Sequence, residues 1–104
     1  MTTTTAPAPL PTVPPEVTAF AAEAGVTAYL PAVLAMTRRL FPAAPLTVQL
    51  DIDPEIPDDR HIIVLVDVSG MSVDQMSHLQ QEWIRQIFDI CPAPHVCVFR
   101  IGLV

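Results

Sequence analysis

Residues 46–70 read LTVQLDIDPEIPDDRHIIVLVDVSG, and the change of period inside this stretch decides the fold class. Leu46, Val48, Leu50 and Ile52 alternate with Thr47, Gln49 and Asp51. Successive side chains of a strand point to opposite faces, so this is a strand with one apolar and one polar face. His61–Val68, HIIVLVDV, is apolar on both faces except near its ends, the pattern of a central strand. The intervening DPEIPDDR carries two prolines and four carboxylates and joins the two as an antiparallel hairpin. With Ile52 opposite Ile62, one side of the pair carries Leu46, Val48, Leu50, Ile52, Ile62, Val64, Val66 and Val68, the side the long helix must cover. The other side carries Thr47, Gln49, Asp51, Ile63, Leu65 and Asp67.

Toward the C-terminus, Ser69-Gly70 turns the chain, and Ser72 with Gln75 forms an S-x-x-Q capping signal. Val73, Met76, Leu79, Trp83, Ile84, Ile87 and Phe88, with Cys91 beyond them, then recur at helical spacing, with Asp74, His78, Glu82, Arg85 and Asp89 on the opposite arc. Pro92 and Pro94 end this helix, and HVCVFRIGLV, residues 95–104, reads as a last strand. A helical crossover makes that strand parallel to the second one.

Toward the N-terminus, Pro15-Glu16 opens a short helix with Val17, Phe20, Ala21 and Ala24 on one side, closed by Gly25. A second helix follows, with Thr27 as its N-cap and an apolar face of Leu30, Val33, Leu34, Thr37, Leu40 and Phe41. Arg38 and Arg39 in its last turn suit the helix dipole, and Pro42 and Pro45 stop it. The expected fold is α+β in the order ααββαβ. It has a three-stranded mixed sheet, one long amphipathic helix on one face, and two short N-terminal helices. Five prolines fall within the first fifteen residues, so residues 1–14 read as a disordered Pro/Thr-rich tail and 15–104 as a single domain. Trp83 is expected to be buried against the sheet near Val64 or Val66.

Charge narrows the function classes. Eleven acids against five bases, all arginine, give a net charge of −6, which argues against nucleic acid as a partner. No run approaches the ~18 apolar residues of a membrane span. MTTTTAPAPLP has neither the basic nor the apolar region of a secretory signal, and two cysteines make no disulfide framework. These features point to the cytoplasm.

Two constellations invite chemistry. Asp51 and Asp53, followed by Glu55, Asp58 and Asp59, with Asp67 on the next strand, resemble a carboxylate metal site. In the register above Asp67 sits opposite Thr47, about 13 Å along the strand from Asp51, too far for one ion. Cys91, His95 and Cys97 offer three soft ligands where a structural zinc site needs four. A cysteine at a helix C-terminus is also a poor thiolate. DVSGMS lacks the G-x-S-x-G nucleophile turn, and His78 with Glu82 on a polar helix face reads as a solvated pair. The chain shows no catalytic set and no cofactor signature.

The stretch quoted first, followed by a helix bearing Gln and Trp, resembles a class of small uncharacterised bacterial proteins that share a D-x-D-P-E-I-P-D-D-R-H linker between two strands. That resemblance brings no catalytic residues with it. The leading reading is a non-enzymatic acidic protein-interaction domain, the neutralising partner of a basic protein, with a homodimer as a further mode of association. Its contact surface is expected at Gln49, Asp51, Ile63, Leu65 and Asp67, with Glu55, Asp58 and Asp59 of the acidic linker. That placement needs the second sheet face to stay open, with the N-terminal helices packing beside the long one. The rival reading is a small metal-dependent enzyme or metal-binding module using Asp51 and Asp53 or the Cys91, His95 and Cys97 segment.

Overall fold

Helix α1 (Pro15–Ala24) starts on the carbonyl of Pro14, which accepts from the Val17 and Thr18 amides. It ends at Gly25 in the left-handed conformation (φ 75°), where the Gly25 and Val26 amides close the carbonyls of Ala22 and Ala21. Glycine adopts this conformation without a Cβ penalty, and the paired bonds are a Schellman ending. The computed structural model of this chain describes residues 10–56, 59–93 and 95–104, and only the backbone of Val96 and Cys97. Residues 1–9 of the expected tail lie outside that description. Val13, also expected in the tail, is half-buried against the core, so packing begins before Pro15.

Helix α2 (Leu30–Leu40) corrects one expectation. Thr27 does not cap it; the carbonyl of Val26 receives the amides of Tyr29 and Leu30, and the helix grows from that turn. Arg38 and Arg39 stand in its last turn as expected, and Arg38 is buried there. Its guanidinium donates to the carbonyls of Phe41 (3.0 Å) and Ala44 (2.7 Å), which are exposed by the prolines that follow. A charged donor satisfying carbonyls past a helix C-terminus does there what further helical turns would have done.

Strands β1 (Leu46–Ile52) and β2 (Arg60–Val66) pair antiparallel, and β3 (Phe99–Leu103) joins β2 in parallel, giving the sheet order β1-β2-β3. The fold is therefore α+β in the order ααββαβ, as the periodicities imply. The hairpin register is two residues tighter than expected: Ile52 pairs with Arg60, and Leu50 with Ile62. The cause lies in the connection. The Asp53 carboxylate accepts from the Glu55 amide at 2.9 Å, and the Asp53 amide donates to the Asp59 carbonyl at 3.1 Å. Such an Asx turn reverses the chain early. A shift of two leaves every side chain on its expected face.

The last segment also differs from the expected strand. His95–Val98 form a 3₁₀ turn, and only Phe99 onward is strand. Since Phe99 pairs with Ile62, two residues into β2, a strand from residue 95 would overrun its neighbour.

Helix α3 (Val73–Ile90) is capped by the Ser72 hydroxyl, which accepts from the Gln75 amide. Trp83 (3% exposed) and Ile87 are buried, and so is Cys91 just beyond the helix. Val73 (73%), Ile84 (47%) and Phe88 (61%) are exposed, against expectation. The Trp83 indole N–H donates to the Thr37 hydroxyl at 2.8 Å, and that hydroxyl donates to the Val33 carbonyl at 2.8 Å. Trp83 is thus anchored on α2 while sharing the core with Val64. That tilt toward α2 turns Ile84 and Phe88 to solvent.

All three helices contribute to one core on one side of the sheet. Val17, Phe20 and Ala21 of α1, Val33, Leu34 and Met36 of α2, and Trp83 and Ile87 of α3 meet Val48, Ile62, Val64 and Phe99. The layers are two, helices on sheet. Arg60 fastens α1 to the sheet margin: its guanidinium pairs with Glu23 (2.7 and 3.2 Å) and lies 4.7 Å from the centre of the Phe20 ring.

Candidate functional site

The second face of the sheet follows from alternation. Val48, Ile62, Val64 and Phe99 face the helices, so Thr47, Gln49, Asp51, His61, Ile63, Leu65, Arg100 and Gly102 face away. Three rows cross this face. Thr47, Leu65 and Gly102 form one, Gln49, Ile63 and Arg100 the next, and Asp51 with His61 the third. Ile63 and Leu65 are half-buried and stand outside the core that the helices close. Thr47, Gln49, Asp51 and Arg100 are exposed. This is the open arrangement in which the N-terminal helices pack beside the long one.

Gly102 shapes the middle of the face. A Cβ there would come within 2.8 Å of Leu65 Cδ2 and 3.2 Å of Ile63 Cδ1, so both side chains lean over this glycine. The result is a low apolar centre spanning β2 and β3.

The border of this centre differs from the expected acidic one. Asp51 does stand on β1, but Arg100 stands on β3, and neither has an ion pair among the described residues. The face is bipolar. Asp67 is not part of it: Asp51 pairs with His61, and Asp67 lies six residues further on, about 20 Å away along the strand. There its carboxylate accepts from the Ser69 hydroxyl (2.5 Å) and amide (3.0 Å), and these bonds hold its pKa below the ordinary value. Arg100 was open to discovery from the sequence, since Phe99, Arg100 and Ile101 alternate like any half-buried strand.

The acidic connection sits at the Asp51 end. Glu55 is exposed, and Asp53 and Glu55 have no ion pair among the described residues. Asp59 approaches His61 Nε2 at 3.2 Å, an ion pair only when the imidazole is protonated. Asp58 lies outside the described residues. Elsewhere, Glu23 and Glu82 are paired, while Glu16, Asp74 and Asp89 have no ion pair among the described residues. Arg60 holds the Glu23 carboxyl below its ordinary pKa, first by hydrogen bonding and then by charge. Arg85 and Gln86 lower that of Glu82 to about 2, again chiefly through hydrogen bonds.

The metal candidates do not converge. Asp51 faces the open side of the sheet, while the Asp53 carboxylate accepts from the Glu55 amide. Cys91 is buried in the helix-side core, and the His95 ring lies 6.1 Å from that of Tyr29. The Cys97 side chain lies outside the described residues. Among the described residues, no group of three or more His, Cys, Asp or Glu could hold a metal ion, and no pocket is present. No helix among them is long and apolar enough to cross a membrane. Compared with protein-family models, curated proteins and solved structures, the chain matches none.

Proposed function

We propose that the chain is a non-enzymatic protein-interaction domain and that the acidic connection between β1 and β2 engages and neutralises a basic protein. The observation that carries this reading is an imbalance of pairing. Glu23 and Glu82 are answered by Arg60 and Arg85, whereas Asp53 and Glu55 have no ion pair among the described residues. Arg60, the base nearest that connection in sequence, turns its guanidinium toward Glu23 and Phe20 of α1. With a net charge of −6, the field around this end steers cations inward and repels anions. The compartment that this reading assumes is the cytoplasm, where Cys91 stays a thiol.

An arginine-rich peptide is the direct probe. Titrated into the isotopically labelled protein at low salt, it should shift backbone amide signals at residues 51–61 first, and added salt should reverse those shifts. The triple change Asp53→Asn, Glu55→Gln and Asp59→Asn should remove them. Shifts centred instead on Asp74 or Asp89 of α3, or unchanged in the triple variant, would overturn the reading.

A further inference from the structure

The geometry points to a second copy of this chain as the partner of the open edge of β3, joined strand to strand into one six-stranded sheet. This edge is distinct from the acidic connection, and the inference stands without the reading given above. Val104 shows which main-chain groups the edge presents. Its amide donates to the Val66 carbonyl and its carbonyl accepts from the Val68 amide, both on the β2 side. Main-chain groups alternate sides along a strand, so Arg100 and Gly102 also bond to β2, while Phe99, Ile101 and Leu103 turn theirs outward. The outward amides and carbonyls have no hydrogen bond among the described residues. Such an edge is a template for another strand.

Helix α3 sets an apolar flank above the same edge. α1 packs on β1 and α3 on β3, with α2 beside α3 on its inner side. A crossover of the usual right hand runs α3 antiparallel to β2 and β3. Seen from its N-terminus, α3 then has the sheet below it, α2 on one side and the open edge of β3 on the other. Trp83 points at α2 and Val64, and side chains further round in the sense of the helix swing past the sheet toward that edge. Ile84 and Phe88 lie there, about 100° and about 140° round from Trp83, and both are exposed. Val73 and Ser77 share this flank, whereas Glu82, Arg85 and Asp89 fall on the opposite one.

A two-fold axis normal to the sheet and passing beside Ile101 pairs β3 antiparallel with its copy. Phe99 then faces the partner's Leu103, Ile101 faces its counterpart, and every outward amide of both edges meets a carbonyl. The same axis keeps both helix layers on one side and brings the two α3 flanks together over this apolar row. Charge favours a copy over a basic or an acidic partner. Nothing charged stands on the flank or among the three outward-bonding residues, and Arg100 lies across from the partner's Gly102. The two acidic connections go to the far margins of the joined sheet, about 24 Å apart at the ordinary strand spacing. A chain of net charge −6 can therefore meet its copy here without setting acid against acid. Five residues of strand edge bury little alone, and the α3 flanks widen the contact toward the ~1,200 Å² at which standard interfaces begin. The dimer forms between micromolar and millimolar concentration.

Sedimentation equilibrium of the full chain over that range, with amide hydrogen exchange followed by NMR at its two ends, tests the inference. The expected result is a monomer–dimer equilibrium in which the Ile101 and Leu103 amides exchange more slowly as the dimer forms. The Arg100 and Gly102 amides, already bonded to β2, should change little. Phe88→Asp, at an exposed position, should weaken the dimer by about tenfold or more, because it sets two carboxylates on a seam that carries none. Circular dichroism confirms that the variant is folded, and Phe88→Ser takes its place if it is not. A chain that stays monomeric at millimolar concentration overturns the inference. So does a dimer in which Ile101 and Leu103 exchange as fast as in the monomer, or one indifferent to the change at Phe88.

Discussion

Val64 and Leu65 are neighbours in one strand, and they live on opposite faces of the sheet with different physics. Val64 is fully buried under three helices; Leu65 is half-buried and leans over a glycine. On the helix side, Ile62, Val64 and Val66 of β2 are buried, and the Trp83 indole N–H has its acceptor in Thr37. On the other side, two apolar residues sit between an aspartate and an arginine that have no ion pair of their own among the described residues. The difference is one of stabilisation. Burial on the first face holds the domain together, and incomplete burial on the second contributes less.

The largest effect should come from the centre of the closed side. Trp83→Ala removes a buried ring and its anchor to α2, and should cost about 3–5 kcal/mol, enough to unfold a domain of this size. Tryptophan fluorescence of the native chain checks the premise beforehand. A maximum where free tryptophan emits in water would show that the ring is not enclosed.

Thr37→Val comes next. The change keeps the shape but leaves the indole N–H of Trp83 without its acceptor inside the core, an expected loss of about 1–3 kcal/mol. Urea unfolding at constant m-value would report it. If Thr37→Val were neutral, the Trp83–Thr37 bond would be incidental and the orientation of α3 would need another cause.

That orientation is also where the sequence stops being legible. Periodicity placed all five long elements and the faces of β1 and β2, because parity survives a shift of register by two. It also placed Thr37 on the buried face of α2. It could not tell which part of the broad apolar arc of α3 would be used. Val73, Ile84 and Phe88 belong to that arc by spacing, yet α2 draws the helix over through Trp83 and they are exposed. Arg38 was placed in the last turn of α2, but its burial depends on carbonyls that only the folded α2–β1 connection presents. In the candidate site, Gln49, Asp51, Ile63 and Leu65 were readable from alternation. Asp67 was misplaced, because β2 ends at Val66 and the next carboxylate turns to Ser69. Arg100 alternates with Phe99 and Ile101, so its outward side was readable, but its place beside Ile63 needed the register of β3 on β2.

A paired substitution tests the comparison of faces directly. Val64→Ala empties space under the helices and should cost about 2 kcal/mol, whereas Leu65→Ala, although it deletes more carbon, should cost about 1 kcal/mol or less in the monomer. Measuring both by chemical denaturation at low protein concentration keeps association out of the result. Equal losses would mean that the second face is closed in solution.

The smallest expected effect concerns the charges that trim the helix layer, and its sign follows from linkage. Arg85 donates to Glu82, joined by Gln86 at 2.9 Å, and together they lower the Glu82 pKa from 4.5 to about 2. The Arg60 bond lowers that of Glu23 in the same direction. A carboxyl with a depressed pKa in the folded chain takes up its proton later than in the unfolded chain, so acid favours unfolding. The contribution is fully present above about pH 4.5 and is lost as the pH falls toward about 2, the two limits set by Glu82. Both acids lie at the surface, where solvent screens the pairs, so the slope is shallow beside the effects above. Glu82→Gln, which cannot titrate, should flatten the pH dependence of the urea midpoint within that window and leave it unaltered at neutral pH and above. Asp67, bound to Ser69, keeps part of the slope in that variant. An acid limb just as steep in Glu82→Gln would place the proton uptake on other carboxylates, and the Arg85 pair would then contribute nothing to the stability of α3.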